Sequence, residues 1–163
     1  MDNQIGLVGR LRKAGATHVF VGGDRDDIAI MSRDAAKLEA GIVFAGAEAL
    51  RAPPGEIPLA AGTLMVAPPE WADIAEPSTL AALATAGIPP EGYVLPSYAA
   101  MQIALAALSA GPIPAGAQPG ELFTATYPTA IGPVRFDARG DVSQNPYRVF
   151  GFDGSRFTPV ESQ

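Results

Sequence analysis

The sequence predicts an α/β fold built on a parallel sheet with flanking helices, and three observations carry that expectation. An apolar strand over residues 17–22 runs through Gly22 and Gly23 into an acidic turn, Asp24-Arg25-Asp26-Asp27. The same progression recurs in miniature at Ile42-Val43-Phe44-Ala45-Gly46-Ala47-Glu48. Between them Ile28, Met31, Ala35 and Leu38 repeat at helical spacing. Buried parallel strands read as near-continuous apolar runs, and helices connect them.

Taken in order, residues 5–14 place Leu7, Val8, Leu11 and Ala14 on one helical face with Arg10, Arg12 and Lys13 elsewhere, and Gly15 is the expected cap. The strand at 17–22 follows. The next helix carries Asp26 and Asp27 in its first turn, where the helix dipole favours them, and Gly41 is expected to stop it. A strand at 42–45, a proline-rich passage at 51–58 and a short strand at 63–67 complete an α-β-α-β-loop-β order. Right-handed crossovers make these three strands parallel neighbours. Pro68-Pro69 then interrupts the pattern. Residues 78–86 are alanine-rich and helical by composition, and residues 96–109 form a helix with Pro96 in its first turn that is apolar nearly all round. Such a helix is expected to be buried on most sides, with Tyr98 and Met101 in its core, beneath something this chain does not itself supply. A loop at 111–120 and strands at 134–137 and 147–152 follow, with Asp153-Gly154 turning the chain before Arg156-Phe157.

Composition narrows the function classes. Of 163 residues 48% are hydrophobic, enough for a packed core, and the net charge of -6 disfavours nucleic acid and anionic membrane surfaces as partners. The chain has no cysteine, which excludes disulfides, thiolate nucleophiles and cysteine-ligated metals. No cofactor motif is present, and residues 24–27 lack the alternating oxygen ligands of a calcium loop. No run of about 18 apolar residues suggests a membrane span, and Met1-Asp2-Asn3-Gln4 lacks the basic and apolar regions of a secretion signal. The expectation is a soluble chain.

In open α/β sheets ligands gather beyond the carboxyl ends of the strands, which places Asp24 and Glu48 near each other on the functional rim. That pairing suits an ammonium group. A capping role for Asp24 can coexist with ligand contact. Glu48 follows its strand with no helix signal behind it, which favours ligand contact over a cap. His18, the one histidine, has no nucleophile partner in a recognisable setting and reads as structural or exposed.

Five segments in order add a resemblance: Val19-Phe20-Val21-Gly22-Gly23, Phe44-Ala45-Gly46-Ala47-Glu48, Ala61-Gly62-Thr63-Leu64-Met65-Val66, residues 92–102, and Ile131-Gly132-Pro133-Val134-Arg135-Phe136-Asp137-Ala138-Arg139-Gly140-Asp141. The chain resembles the branched-chain amino acid-binding proteins, the periplasmic type I solute receptors of ABC importers, and corresponds to their C-terminal half. The Gly-Pro-x-x-Phe-Asp-x-x-Gly-Asp string is the most specific of the five. The resemblance implies a two-lobed fold, with residues 1–67 in the second lobe, residues 68–141 a mainly helical contribution to the first, and residues 142–163 a return strand to the second. It further implies a ligand site at Gly23, Asp24, Ala47 and Glu48. There Glu48 accepts hydrogen bonds from a ligand α-ammonium, while Asp24 stands where many members carry an aromatic residue, so a more cationic or polar ligand, or a different closure geometry, is implied.

The implied function is binding without chemistry: an amino acid or similar amine-bearing solute held by hinge closure, with importer membrane subunits as partners and a periplasmic location. Self-association of the half-length chain is a further expectation. Two other readings stay open: a small hydrolase using an Asp24/Glu48 carboxylate pair, and a remnant or assembly module that binds no ligand.

Overall fold

Gly15, at φ 77°, takes the left-handed turn that ends the first helix, and the chain enters a strand three residues later. In this computed structural model, which describes residues 3–109 and 125–160, the elements are α1 (Ile5–Lys13), β1 (His18–Phe20), α2 (Arg25–Lys37), β2 (Val43–Gly46), a 3-10 turn (Glu48–Arg51), β3 (Leu64–Ala67), α3 (Trp71–Ile74), α4 (Pro77–Thr85), α5 (Val94–Ser109), β4 (Thr126–Thr129), β5 (Gly132–Arg135), β6 (Arg148–Phe152) and β7 (Phe157–Pro159). The loop expected at 111–120 lies outside the described residues. The chain divides into two units, Met1–Pro68 with Tyr147–Gln163, and Pro69–Pro146.

The first unit is a five-stranded sheet of order β1-β2-β3-β6-β7. β1, β2 and β3 are parallel, as the helix-strand alternation requires, with Phe20 opposite Ala45 and Ala45 opposite Leu64. β6 runs antiparallel to β3, setting Phe150 opposite Met65, and β7 turns back antiparallel on β6. Residues alternate between faces, so Phe44, Met65, Ala67, Phe150 and Phe152 bury together with Val8, Ile28, Ala29, Met31 and Ala35 from α1 and α2. The opposite face is barer. Phe20 is 61% exposed there, and Val149 and Val160 are exposed with it.

α2 stops earlier than the sequence pattern suggests. Leu38 caps it, and Glu39 rather than Gly41 makes the first left-handed turn, at φ 50°. Beneath α1 and α2, the fully buried carboxylate of Asp34 accepts the Gln4 N–H at 2.6 Å and pairs with Arg33 at 2.8 Å, which fastens the start of α1 to the middle of α2.

The second unit holds α3, α4, α5 and a hairpin of β4 and β5. Pro128 lies opposite Pro133 in that hairpin, a pairing that needs no N–H from either residue. β4 is an element the sequence pattern does not announce. Leu95, Ala99 and Ile103 bury one side of α5, and Gln102 Oε1 accepts the Ala130 N–H at 2.8 Å. Tyr98 and Met101 are 44% and 60% exposed, so they do not sit in a core formed by this chain. A helix apolar all round carries no mark of its inward side, and in the structure α3 and β4 pack against it.

Candidate functional site

The carboxyl ends of β1 and β2 leave the sheet side by side, because the parallel register continues past the strand ends with the Val21 N–H donating to the Ala45 carbonyl at 2.8 Å. Three residues beyond Val21 stands Asp24, and three beyond Ala45 stands Glu48. The sequence thereby delivers two carboxylates from paired positions to one rim of the first unit.

Asp24 is the N-cap of α2. In extended backbone geometry its Oδ1 accepts the Asp27 N–H at 2.9 Å, and its own N–H donates to Asp27 Oδ2 at 3.4 Å, a reciprocal capping box. Gly23 makes this closure possible, since a Cβ at that position would lie 2.7 Å from Asp27 Oδ2. The Asp24 side chain is therefore already engaged in holding the helix start.

Glu48 follows Ala47, which is extended at φ -90° and ψ -169°, and opens the 3-10 turn. Sequence reasoning anticipates no helical turn there. The turn forms because Leu50, fully buried, draws the chain down onto α2, while Gly46 leaves room for it: a Cβ on Gly46 would meet Ile28 Cδ1 at 2.5 Å and Leu50 Cδ1 at 3.0 Å. Glu48 is left half-buried at the rim.

Two arginines that sequence reasoning passed over brace this rim. Arg25 donates to the Leu50 carbonyl and lies 5.8 Å from the centre of the Phe152 ring. Arg51 donates to the Pro68 carbonyl at 2.7 Å and lies 5.5 Å from the centre of the Phe150 ring. Cations over aromatic faces are attracted by the ring quadrupole, here at two rings two residues apart on the buried side of β6. In the chain Arg25 follows Asp24 directly, and Arg51 stands three residues after Glu48, but neither spacing announces the contact with a ring of β6. Guanidinium groups thus lie on the elements that carry the acids.

The structure also contains a cavity of about 260 Å³, lined by Ser32, Glu39, Gly41, Ile42, Gly62 and Thr63 among others. It opens at the amino ends of β2 and β3, the opposite end of the sheet from Glu48, and none of Gly23, Asp24, Ala47 and Glu48 lines it. Among the described residues no group of three or more histidines and acids is placed to hold a metal, and no helix is long and apolar enough to cross a membrane.

No family model and no curated protein matches the chain. Solved structures do. A leucine-binding protein from Thermotoga maritima superposes with a TM-score of 0.66 at 15% identity, covering 99% of this chain and 48% of that one. A leucine-, isoleucine-, valine-, threonine- and alanine-binding protein from Brucella ovis, in closed conformation, gives 0.63 at 16% identity, covering 99% and 46%. An ABC-transporter solute-binding protein from R. palustris in complex with benzoate gives 0.57 at 17% identity, covering 95% and 45%. The chain therefore has the α/β fold of part of a type I solute-binding protein, and it spans about half the length of the structures it matches.

Proposed function

We propose that this chain is part of the solute-binding component of an ABC importer and takes an amino acid or similar small amine-bearing solute. The observation that carries the proposal is the superposition of nearly the whole chain on proteins named for leucine and related amino acids. The rim chemistry supports it. Glu48, half-buried and delivered by β2, is the acceptor for the ligand ammonium, and the backbone of Gly23 and Ala47 lines the approach. Charge-assisted hydrogen bonds of this kind contribute roughly 1.5 to 3 kcal/mol each. Asp24 contributes its charge to the rim while its Oδ1 serves the cap.

The role is binding, with closure about the crossing segments at Pro68-Pro69 and Pro146-Tyr147, a periplasmic setting and importer membrane subunits as the recipients. The hydrolase alternative has less support, because a general acid-base pair needs both carboxylates available, and Asp24 is engaged with Asp27.

The test is a nitrogen-15 correlation NMR titration of the chain with leucine, and in parallel with benzoate. Contact from the half of the site present here is expected to give a dissociation constant of order millimolar, about -4 kcal/mol. Leucine should shift the amides of Gly23, Ala47 and Glu48, and Glu48→Gln should weaken the response about tenfold. Saturable shifts confined to other residues, or shifts indifferent to Glu48→Gln, would remove this rim from the function.

A further inference from the structure

We propose that Arg51 is a positioning residue that ties the turn carrying Glu48 to the two points where the chain leaves and re-enters the sheet unit. The proposal rests on the solute site at Glu48 and adds how contact there is passed on. Glu48 and Arg51 are the first and last residues of the 3-10 turn that follows β2. Side chains three residues apart eclipse in such a turn, so the two rise from the same side of it. The turn itself is firmly seated: Leu50 is fully buried, and its carbonyl accepts from Arg25 on α2.

From that turn Arg51 reaches 17 residues ahead and donates to the Pro68 carbonyl at 2.7 Å. Pro68 is buried and is the last residue of the sheet unit before the chain crosses, and a buried carbonyl needs a donor. The Pro68 ring fixes its own φ, and Pro69 after it restricts Pro68 to extended backbone. So stiff a segment passes a displacement of its carbonyl along the chain instead of absorbing it. The same guanidinium lies 5.5 Å from the centre of the Phe150 ring in β6, the strand that begins directly after the chain returns at Tyr147. β6 pairs there with β3, Arg148 opposite Ala67 and Phe150 opposite Met65. One side chain thus touches the outgoing and the returning chain beside both crossings. Arg25 makes a parallel pair of contacts, to the Leu50 carbonyl and the Phe152 ring, but at the far end of β6 from the return point. Arg25 anchors the turn to the body of the sheet unit, and Arg51 connects it to the crossings. A guanidinium suits this duty because its planar fork bonds a carbonyl and stacks on a ring at once.

Nitrogen-15 correlation spectra test this in two arms. Without ligand, Glu48→Gln is the perturbation: it should shift the amides of Ala67, Arg148 and Val149 when Arg51 is present and leave them in place in Arg51→Met, which keeps an apolar stem and removes the donor and the charge. The four chains form a cycle that isolates the coupling of the two side chains. With leucine, the unaltered chain should shift Gly23, Ala47 and Glu48 together with Ala67, Arg148 and Val149, and Arg51→Met should keep the first set and lose the second. A residue that only stabilised the fold would weaken both sets together, so the split marks positioning. Should Arg51→Met unfold, Arg51→Lys, which keeps the charge without the fork that spans carbonyl and ring, reads the same split with the second set reduced. Crossing amides that stay still in the unaltered chain, or that move as far without Arg51, overturn the proposal in either arm. Leucine that moves no amide removes the solute reading instead, and the ligand-free arm then decides by itself whether Arg51 couples the turn to the crossings.

Discussion

The sheet unit and the helix-hairpin unit solve the same problem with different success. In the sheet unit, β2 and β3 alternate buried and half-buried residues, Phe44 against Val43 and Met65 against Leu64, and the alternation tells the strand which way to face. In the helix-hairpin unit, α5 is apolar on every side, so its sequence contains no such instruction. Leu95, Ala99 and Ile103 are buried, while Tyr98, Met101, Leu105 and Leu108 are exposed. Contrast in a sequence pattern, rather than the total amount of apolar residue, fixes orientation.

The largest predicted effect puts two methionines on the two sides of this contrast. Met65 is fully buried in the sheet unit, with Gly46 and Phe150 opposite it on the neighbouring strands, and Met101 is 60% exposed on α5. Met65→Ala should destabilise by about 2 to 5 kcal/mol, through lost burial and the cavity left behind. Met101→Ala should stay within about 0.5 kcal/mol when urea unfolding is followed. Equal losses at the two sites would mean that α5 is covered within its own molecule, and the comparison would break.

A second contrast lies between two carboxylates. In the sheet unit, burial pushes the Asp34 carboxyl up, but the Gln4 N–H, the Arg33 hydrogen bond and the charges of Arg33 and Lys37 outweigh it and hold it below its ordinary value of 3.8. In the helix-hairpin unit, the exposed Asp137 is also held low, by the N–H groups of Arg139 and Asp141, but it organises only its own loop. A carboxyl lowered in the folded state contributes stability that is fully present above its unfolded value and is lost as pH falls through the folded one. Asp34→Ala should therefore destabilise by about 1 to 3 kcal/mol at neutral pH, through loss of the acceptor for the part-buried Gln4 N–H and of the charge contacts to Asp34, and should flatten the stability decline below pH 3.8. Asp137→Ala should leave the melting temperature nearly unchanged. A steep acid decline persisting in Asp34→Ala would place the acid sensitivity elsewhere.

Much of the sheet unit was legible in advance, for reasons that particular residues make plain. The runs at Val19-Phe20-Val21 and Val43-Phe44-Ala45 read as strands, the first feeding a helix, and Gly15 read as the end of α1. The parallel pairing of β1, β2 and β3 followed from the intervening α2 and the right-handed rule. The 3-10 turn at Glu48 was not legible, because it depends on Leu50 finding space over Gly46, a contact between β2, α2 and the turn that no local pattern encodes. β4 was hidden by Pro128, which demotes a strand unless its partner also needs no N–H, as Pro133 does not. At the rim, the acids stood out as isolated charges after apolar runs. Arg25 and Arg51 did not, since their role depends on Phe150 and Phe152, nearly a hundred or more positions away in the chain.

The smallest predicted effect separates the two duties that meet at Asp24. The cap asks only for a side-chain oxygen that accepts the Asp27 N–H, whereas a ligand ammonium asks for negative charge. Asp24→Ala removes both and should destabilise the sheet unit by about 1 kcal/mol. Asp24→Ser keeps an acceptor of the right length while removing the charge, and should restore most of that stability. If the carboxylate is only a cap, the serine variant titrates with leucine as the unaltered chain does, and recognition rests on Glu48. If the charge also draws the ammonium, the serine variant retains its melting temperature but loses affinity, by less than Glu48→Gln because Asp24 Oδ1 is already bonded to the helix. A serine variant that is as unstable as the alanine one would show that the reciprocal bond from the Asp24 N–H to Asp27 depends on the carboxylate pair as a unit. The helix start and the rim would then be a single structural element rather than two functions sharing a residue.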